Sequence, residues 1–445
     1  MQTLAKKKAR IPQVAMVSLG CAKNLVDTEG LMGELYKNQF NLCADPSAAD
    51  AVIVNTCGFL QSSIDEAQDQ IDDMLSLKDH GHVKKVIAMG CYVSRGKDAV
   101  LERYPNLDGV YALDEVDGIV GDLKKSLRFK PKNKGPILAG IRPISATMPH
   151  YSYLKISEGC NRTCTYCTIP DIRGPNVDKS IEELVKETMY LQQRGTKELN
   201  LIAQDTTAYG IDQYGQPKLL ELLKELSKVD GIDWIRLLYA YPDYIDDALS
   251  DFLLDSPKIL DYLELPIQHA SESVLKRMNR GGSFKIYDDL FEKLRSAKSH
   301  YALRTTVIVG FPGETDQEFD EMLNYCKERK FDRLGAFKYY REEGTPAYKM
   351  KDQVPKEVVD ERYDRLMRLQ SELHFEKNKT LVGQDIEFIV DECDESGQNA
   401  IGRTWRDCVD IDANIKITSS IPLQTGMIAT ARVTETEDYD LIGVL

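Results

Sequence analysis

YSYLKISEGCNRTCTYCTIPDIRG, residues 151–174, decides the fold of this chain, because it joins an apolar strand to a compact cysteine group. Cys160, Cys164 and Cys167 follow the spacing C-x3-C-x2-C. Three thiolates this close in sequence can bind one metal centre without closing a long loop. They are one ligand short of the four that a [4Fe–4S] cluster normally takes from protein, so one iron would stay open to a small molecule. The spacing differs from the bacterial ferredoxin run and from zinc C-x2-C pairs; structural zinc or unrelated thiols are the alternatives.

Length and composition indicate an ordinary globular protein of several domains. The 445 residues suggest about three domains at ~150 residues each. Hydrophobic residues make up 42% and charged residues 29% of the chain, which is typical of soluble domains. No apolar run is long enough to span a membrane. The opening MQTLAKKKAR has no apolar stretch behind its basic residues, so we expect no secretion signal.

Charge and cysteine usage narrow the possible partners and compartment. The net charge of −14 argues against general affinity for nucleic acid, although a local basic patch could override it. Ten cysteines are too sparse for a disulfide scaffold in so long a chain. Their spacing suits metal ligands in a reducing compartment, and we therefore expect a cytoplasmic protein.

The N-terminal region alternates apolar strands with helices. Strands are predicted at 14–18, 51–55 and 83–90, and a helix is predicted from about Ser63, with Ser63 and Glu66 as a capping box. This βαβαβ order predicts a parallel sheet.

A second trio of cysteines follows these strands. Cys21, Cys57 and Cys91 each come just after a predicted strand, at intervals of 36 and 34 residues, or about one β–α repeat. Parallel strands end at the same edge of a sheet, where such folds place ligands. A lone cysteine is usually a small buried apolar residue, but three at one topological position predict a second three-cysteine cluster.

The central region predicts a partial barrel. Six strands are expected, separated mostly by helices: 151–157, 197–203, 233–239, 260–266, 303–310 and 331–339. Ser180 with Glu183, and Thr315 with Glu318, predict two capped helix starts. Six units are too few for an eight-fold barrel. The cysteine loop follows the first strand, at the end where parallel β/α barrels keep their chemistry.

The C-terminal region predicts a connecting helix and a small β-barrel. Residues 355–379 have helical apolar periodicity, and about five short strands follow. Such a pattern is typical of an OB-like closed barrel. Residues 381–445 carry thirteen acidic and four basic residues, a net charge of −9. We expect this surface to repel phosphate and to suit a basic protein partner; a merely solubilising face is the alternative.

SLGCAKNLVDTE (18–29), SEGCNRTCTYCTIP (157–170) and LIAQDTTAYG (201–210) resemble motifs of the radical S-adenosylmethionine (SAM) methylthiotransferases. The likeness covers essentially the whole chain and is greatest to the branch that modifies an aspartate of small-subunit ribosomal protein S-twelve. It implies an α/β multidomain fold: a Rossmann-like N-terminal domain (12–128), a partial (β/α)6 radical SAM barrel (146–375) and a C-terminal OB-like TRAM domain (378–445).

The resemblance also implies cofactors and their ligands. Two [4Fe–4S] clusters are expected, with SAM bound at the open iron of the cluster on Cys160, Cys164 and Cys167. Reductive cleavage of SAM would give a 5′-deoxyadenosyl radical, which can abstract a hydrogen atom from an unactivated β-carbon. The cluster on the N-terminal cysteines, Cys21, Cys57 and Cys91, would carry the sulfur.

Three further residues are candidates for SAM binding by this resemblance. Tyr166 lies inside the cysteine loop, where superfamily members carry an aromatic residue against adenine. Gln204 and Gly310 lie in segments that line the SAM pocket in the family; the alternatives are that Gln204 helps to cap a helix and that Gly310 only shapes a turn. His269 is given no catalytic role, and no catalytic residue is predicted.

The resemblance implies basic ribosomal protein S-twelve and a flavodoxin or ferredoxin-type reductant as partners. The short apolar runs argue against a membrane, and the acidic C-terminal charge argues against direct RNA binding. One alternative function is 2-methylthiolation of adenosine in tRNA. Another, of a different class, is a non-catalytic iron–sulfur carrier.

Overall fold

A computed structural model describes residues 10–131, 142–281 and 283–445. The chain divides into two compact units. The first unit is Met1–Ala146 with Asp171–Gly174, and the second is Thr147–Pro170 with Pro175–Leu445. Residues 122–150 lose apolar periodicity and are rich in Lys, Pro and Gly, which predicts an interdomain connection. This segment begins inside a helix, Asp117–Ser126, and its residues 132–141 lie outside the described residues. The predicted domain boundaries stay a prediction.

A five-stranded parallel sheet forms the centre of the first unit. Its strands are Gln13–Ser18, Asn41–Cys43, Ala51–Thr56, Lys85–Gly90 and Gly109–Tyr111. In sheet order the second strand lies at one edge, followed by the first, third, fourth and fifth. Val52 and Val54 pack into one core, whereas Ala51 and Ile53 pack into another on the opposite face. Both faces are therefore covered, as in doubly wound folds, and the Rossmann-like prediction is confirmed.

The helices of this unit are Ala22–Lys37, Gln61–Asp79, Cys91–Arg103 and Asp117–Ser126. The predicted capping box of Ser63 and Glu66 is wrong. The helix begins at Gln61 after Leu60, and the Ser63 amide already donates to the Leu60 carbonyl at 3.0 Å. Ser63 thus lies inside the first turn, where its side chain cannot cap.

Six parallel strands form the β/α part of the second unit, as predicted. They are Tyr151–Lys155, Glu198–Ile202, Trp234–Leu237, Tyr262–Glu264, Ala302–Val309 and Arg333–Lys338. They pair as two three-stranded sheets, bridged in parallel between Ile235 and Ile259. The longer helices between them are Ile181–Gln193, Leu219–Ser227, Asp247–Asp255, Phe284–Ala297 and Asp316–Arg329. Both predicted capping boxes, Ser180–Glu183 and Thr315–Glu318, are present.

The second unit ends in a long helix and a closed five-stranded barrel. The helix is Lys356–Leu381. The strands are Asp385–Cys393, Asn399–Thr404, Ile415–Thr418, Ile428–Glu437 and Asp440–Val444. They close on one another around a core that includes Phe388 and Ile417. The predicted small C-terminal β-barrel is confirmed.

Buried ion pairs join the small barrel to the β/α strands within the second unit. Glu198 is fully buried between Arg236, 2.9 Å away, and Arg403, 2.7 Å away. Asp407 pairs with Arg333 in the same way. Burial alone would raise the pKa of Glu198, but Arg403 and Arg236 hold it below its ordinary value. The C-terminal charges are therefore partly internal. No helix in the described part of the chain is long and apolar enough to cross a membrane.

Candidate iron–sulfur sites

The parallel sheet of the first unit places the N-terminal trio, Cys21, Cys57 and Cys91, at one edge. Thr56 is in register with Gly90 on the neighbouring strand, so Cys57 and Cys91 follow at the same level. On the other side Ser18 is in register with Asn55. Gly20, next to Cys21, lies so close to Cys57 that an added Cβ would be 2.9 Å from the Cys57 sulfur. The strand ends thus place the three cysteines of the trio at the same edge of the sheet.

Asn24 binds the backbone beside Cys21 and Cys57 and the thiol of Cys91. Its side-chain Nδ2 donates to the carbonyls of Leu19 and Thr56, each at 3.0 Å. The Cys91 thiol donates to Asn24 Oδ1 at 3.4 Å. Asn24 is fully buried, so these bonds are shielded from competing water. Sequence reasoning missed this residue, although it lies in the quoted motif three positions after Cys21.

Arg173 supplies a buried positive charge beside the same trio. Its Nη2 donates to the Cys91 sulfur at 3.2 Å and also to Asn24 Oδ1. Its Nη1 is 3.2 Å from Asp27 Oδ2. No local sequence signal indicates this contact, since Arg173 lies 82 positions after Cys91.

The electrostatic environments of Cys21 and Cys91 shift their pKa values in opposite directions. Desolvation would raise the pKa of Cys21, but Lys23, the Asn24 amide and Arg173 lower it below the ordinary value. Burial raises the pKa of Cys91 to about 11, with Arg173 opposing the rise. Cys21 precedes one helix and Cys91 begins another. Helix N-termini favour thiolate over thiol, which suits metal ligation.

The central trio, Cys160, Cys164 and Cys167, lies on a loop held at its base and tip. At the base, Ser157–Glu158 pairs antiparallel with Val177–Asp178. Near the tip, the Thr165 amide donates to the Met278 carbonyl at 2.9 Å, and the Ala347 amide donates to the Thr165 carbonyl at 2.9 Å. The loop is therefore fixed by backbone bonds on both sides before any ligand binds.

Backbone amides of this loop point at sulfur. The Arg162 amide donates to the Cys160 sulfur at 3.4 Å, and the Ile169 amide donates to the Cys167 sulfur at 3.5 Å. Burial raises the pKa of Cys167 to about 12 and also raises that of Cys160. N–H groups directed at sulfur are a means by which proteins stabilise and tune iron–sulfur clusters.

Both trios offer only thiol donors, the ligands that iron–sulfur clusters normally take from protein. Across 10–131, 142–281 and 283–445, no three His, Cys, Asp or Glu side chains are placed to hold one metal ion. A cubane distributes its ligands over several iron atoms, so its sulfurs need not meet at one point. Each trio offers only thiols, with N–H donors directed at sulfur.

Tyr166 packs within the central loop. Its ring meets Phe311 edge-on, with centroids 6.5 Å apart, and its hydroxyl accepts from Arg280 Nη1 at 3.5 Å. Burial raises its pKa well above the ordinary value. The neutral ring therefore remains an aromatic surface, and its contact with adenine stays a prediction.

Gln204 and Gly310 differ in what they offer a cofactor. Gln204 Nε2 donates to Glu158 Oε1 at 2.9 Å, whereas its Oε1 is buried with no partner among the described residues. Gly310 has φ +79°, and an added Cβ would lie 2.3 Å from Val359. Its amide donates to Glu314 at 2.8 Å. Gly310 thus has a sufficient structural reason to be glycine, and its role in SAM binding stays a prediction.

Arg162 is a third residue that sequence reasoning missed. Its side chain lies between Asp205, at 2.9 Å, and Asp243, at 2.6 Å, with the guanidinium 3.7 Å above the Tyr241 ring. Asp205 also caps the turn Thr206–Ala208. An arginine in the cysteine loop followed by an acidic turn after the next strand was the available signal.

His269 is buried in the second unit, and its Nδ1 accepts from the Ser271 amide at 3.0 Å. Its Nε2 is 3.6 Å from Glu314 Oε2, beyond hydrogen-bond distance. This arrangement gives no reason to assign it a catalytic role.

Comparison with known proteins first shows the fold class of this chain. Residues 154–326 match the Radical SAM superfamily, 13–112 match Uncharacterized protein family UPF0004, and 382–445 match the TRAM domain. Among solved structures, the radical SAM methyltransferase TsrM from Kitasatospora setae aligns with a TM-score of 0.58 at 13% identity, over 76% of this chain and 74% of that one. The radical SAM enzyme OxsB aligns at 0.51 and 14% identity, over 80% and 56% of the two chains. The chain therefore has a radical SAM fold.

Full-length relatives define the family within that class. Proteins named ribosomal protein uS12 methylthiotransferase RimO are 40% identical in Acetivibrio thermocellus and 41% identical in Geotalea uraniireducens, covering 97% and 100% of this chain and 98% and 99% of theirs. The Geobacter sulfurreducens protein is 40% identical over 97% of this chain and 98% of its own length. The chain belongs to this family, the RimO methylthiotransferases.

Proposed function

We propose that this protein transfers a methylthio group to the β-carbon of an aspartate in ribosomal protein uS12, in the cytoplasm, using SAM and two [4Fe–4S] clusters. The observation that carries the proposal is the similarity to RimO proteins over nearly the whole length of both chains. The placement of two thiol-only trios at strand ends supports it.

The central trio would hold the cluster that binds SAM. When bound there, the cluster and SAM would together supply homolytic chemistry able to remove hydrogen from an unactivated carbon. The residues of this chain would support the cluster and contact SAM. Amides of Arg162 and Ile169 support the sulfurs, Gln204 offers a buried acceptor, and Tyr166 offers a ring.

The N-terminal trio would hold the second cluster and the sulfur to be transferred. Asn24 fixes the strand ends, and Arg173 donates to the Cys91 sulfur. This assignment of roles follows the family resemblance. The low-potential electrons would come from a flavodoxin or ferredoxin-type donor.

The exposed charge of the small barrel favours a basic protein as substrate. Arg403 and Arg406, two of its four basic residues, are buried. The exposed ones, Lys416 and Arg432, already pair with Glu437 and Asp385. Several exposed acids remain: Glu387, Glu392, Asp394, Glu395, Glu435 and Asp438. This surface repels phosphate and attracts the basic surface of a ribosomal protein.

The substrate is tested by mass analysis of uS12 and tRNA from a strain that lacks this gene. We expect uS12 to lose its methylthio increment while tRNA keeps its own. The alternative, methylthiolation of tRNA adenosine, predicts the reverse pattern, which would contradict the proposal.

The division of labour is tested by two single variants of anaerobically reduced protein. Cys160→Ala should abolish release of 5′-deoxyadenosine from SAM, because it removes a ligand of the cluster that binds SAM. Cys57→Ala should leave that release but stop sulfur insertion. Equal loss of SAM cleavage in both would refute the separate roles, and no cleavage by the wild type would favour an iron–sulfur carrier.

A further inference from the structure

Arg173 brings a buried charge to the N-terminal trio from a distant part of the sequence. It comes six positions after Cys167, yet Asp171–Gly174 belongs to the first unit by its contacts. Its side chain is 1% exposed. The guanidinium reaches the Cys91 sulfur, Asn24 and Asp27 together.

Burying a guanidinium costs desolvation free energy, which hydrogen-bond acceptors or anions must offset. A neutral thiol is a weak acceptor. A hydrogen bond to Cys91 in its thiol form therefore offsets little of the free-energy cost of desolvating Arg173. A thiolate bound to iron is a strong acceptor, and N⁺–H to anionic sulfur is a charge-assisted bond. Asp27 accepts from Nη1 of the guanidinium. Asn24 Oδ1 and the Cys91 sulfur both accept from Nη2, so Asn24 holds that nitrogen beside the sulfur. The arrangement therefore suits an anionic sulfur at Cys91.

We propose that Arg173 is the positioning residue of the N-terminal cluster. It donates a hydrogen bond to the Cys91 ligand and offsets the negative charge of the three thiolates and of the sulfur held there. This inference rests on the second cluster of the proposed function and adds to it a specific residue that governs its retention and potential.

The test uses the full-length chain with Cys160, Cys164 and Cys167 all changed to Ala, so that only the N-terminal cluster can form. In this background, Arg173→Gln removes the positive charge and leaves a polar side chain of similar size. We expect iron to be lost to a chelator about 10–100-fold faster, as when a partner of a metal ligand is removed. The reduction potential, followed by electron paramagnetic resonance, should fall because the reduced, more negative cluster loses a donor. The iron-loss rate and the reduction potential of Arg173→Lys should lie between those of the background and of Arg173→Gln, since lysine keeps the charge but lacks the guanidinium fork.

Arg142→Gln is the matched control. Arg142 is also buried, with a side chain that is 8% exposed, and it pairs with Glu29 on the same helix as Asp27. It should keep the iron-loss rate and potential of the background. The inference is overturned if Arg173→Gln behaves like the background, or if Arg142→Gln produces the same changes. If the background itself binds no iron, the second cluster of the proposed function fails, and this inference with it.

Discussion

At the scale of single residues, Gln204 has an unused hydrogen-bonding atom in the second unit. Its Oε1 is buried without a partner among the described residues, while Nε2 is held by Glu158. A buried acceptor left unpaired costs ~1–3 kcal/mol, which a bound cofactor would recover.

We predict that Gln204→Leu weakens SAM binding by about 10–100-fold, corresponding to that range of energy. Equilibrium dialysis of reconstituted protein with labelled SAM measures the change. Gln213→Leu, at an exposed position of the same unit, should bind SAM as the wild type does. Unchanged affinity in Gln204→Leu would remove Gln204 from the cofactor site.

At the scale of elements, two serines with the same S-x-x-E spacing have opposite roles. Ser180 accepts from the Glu183 amide at 3.2 Å and caps its helix. Ser63 lies inside a helix that began two residues earlier.

Ser180→Ala should therefore cost about 1 kcal/mol locally, whereas Ser63→Ala should cost nothing, because alanine is the better helix former. Hydrogen exchange measured by mass spectrometry should show about fivefold less protection of the first helical turn after Ser180 only. Similar losses at both helix starts would mean that Ser63 does cap.

Elements were predictable from sequence where apolar periodicity and strand order decide the structure. Ala51–Thr56 is buried at every position. Such an apolar run is typical of a strand in a sheet that is covered on both faces. The Ser63 error shows that a capping motif does not identify the first helical residue, because Leu60 begins the turn without any side-chain cap.

The cluster environments were less predictable than the cysteines themselves. Cys57 and Cys91 could be placed because each follows a strand directly. Asn24 and Arg173 act through contacts made only after the chain has folded, and no local spacing encodes such contacts. For Arg162 the acidic turn after the next strand was the one available signal.

At the scale of the whole molecule, the charge of the C-terminal region could be counted but not located. Asp407 is internal, paired with Arg333, which also donates from Nη1 to His374 Nδ1 at 2.8 Å. His374 Nε2 is then left to donate to the Tyr439 carbonyl at 3.0 Å. Burial and Arg333 lower the pKa of His374 to about 4.

This pKa predicts a pH dependence of stability. An unfolded imidazole titrates near 6.5, so unfolding takes up a proton between pH 6.5 and 4. The stability from neutral His374 is therefore complete above about pH 6.5 and is lost as the pH falls toward 4. The thermal midpoint of wild type should fall more steeply over this window than that of His374→Gln. His82→Gln, at an exposed position, should keep the wild-type slope; equal slopes in all three proteins would contradict this origin.

Iron content and Mössbauer spectra of anaerobically reconstituted protein test the central claim most directly. Two cubanes on separate trios predict about eight irons in the wild type, and about four in each variant that lacks one trio, with [4Fe–4S] spectra throughout. Four irons in the wild type, or zinc in either trio, would contradict the account.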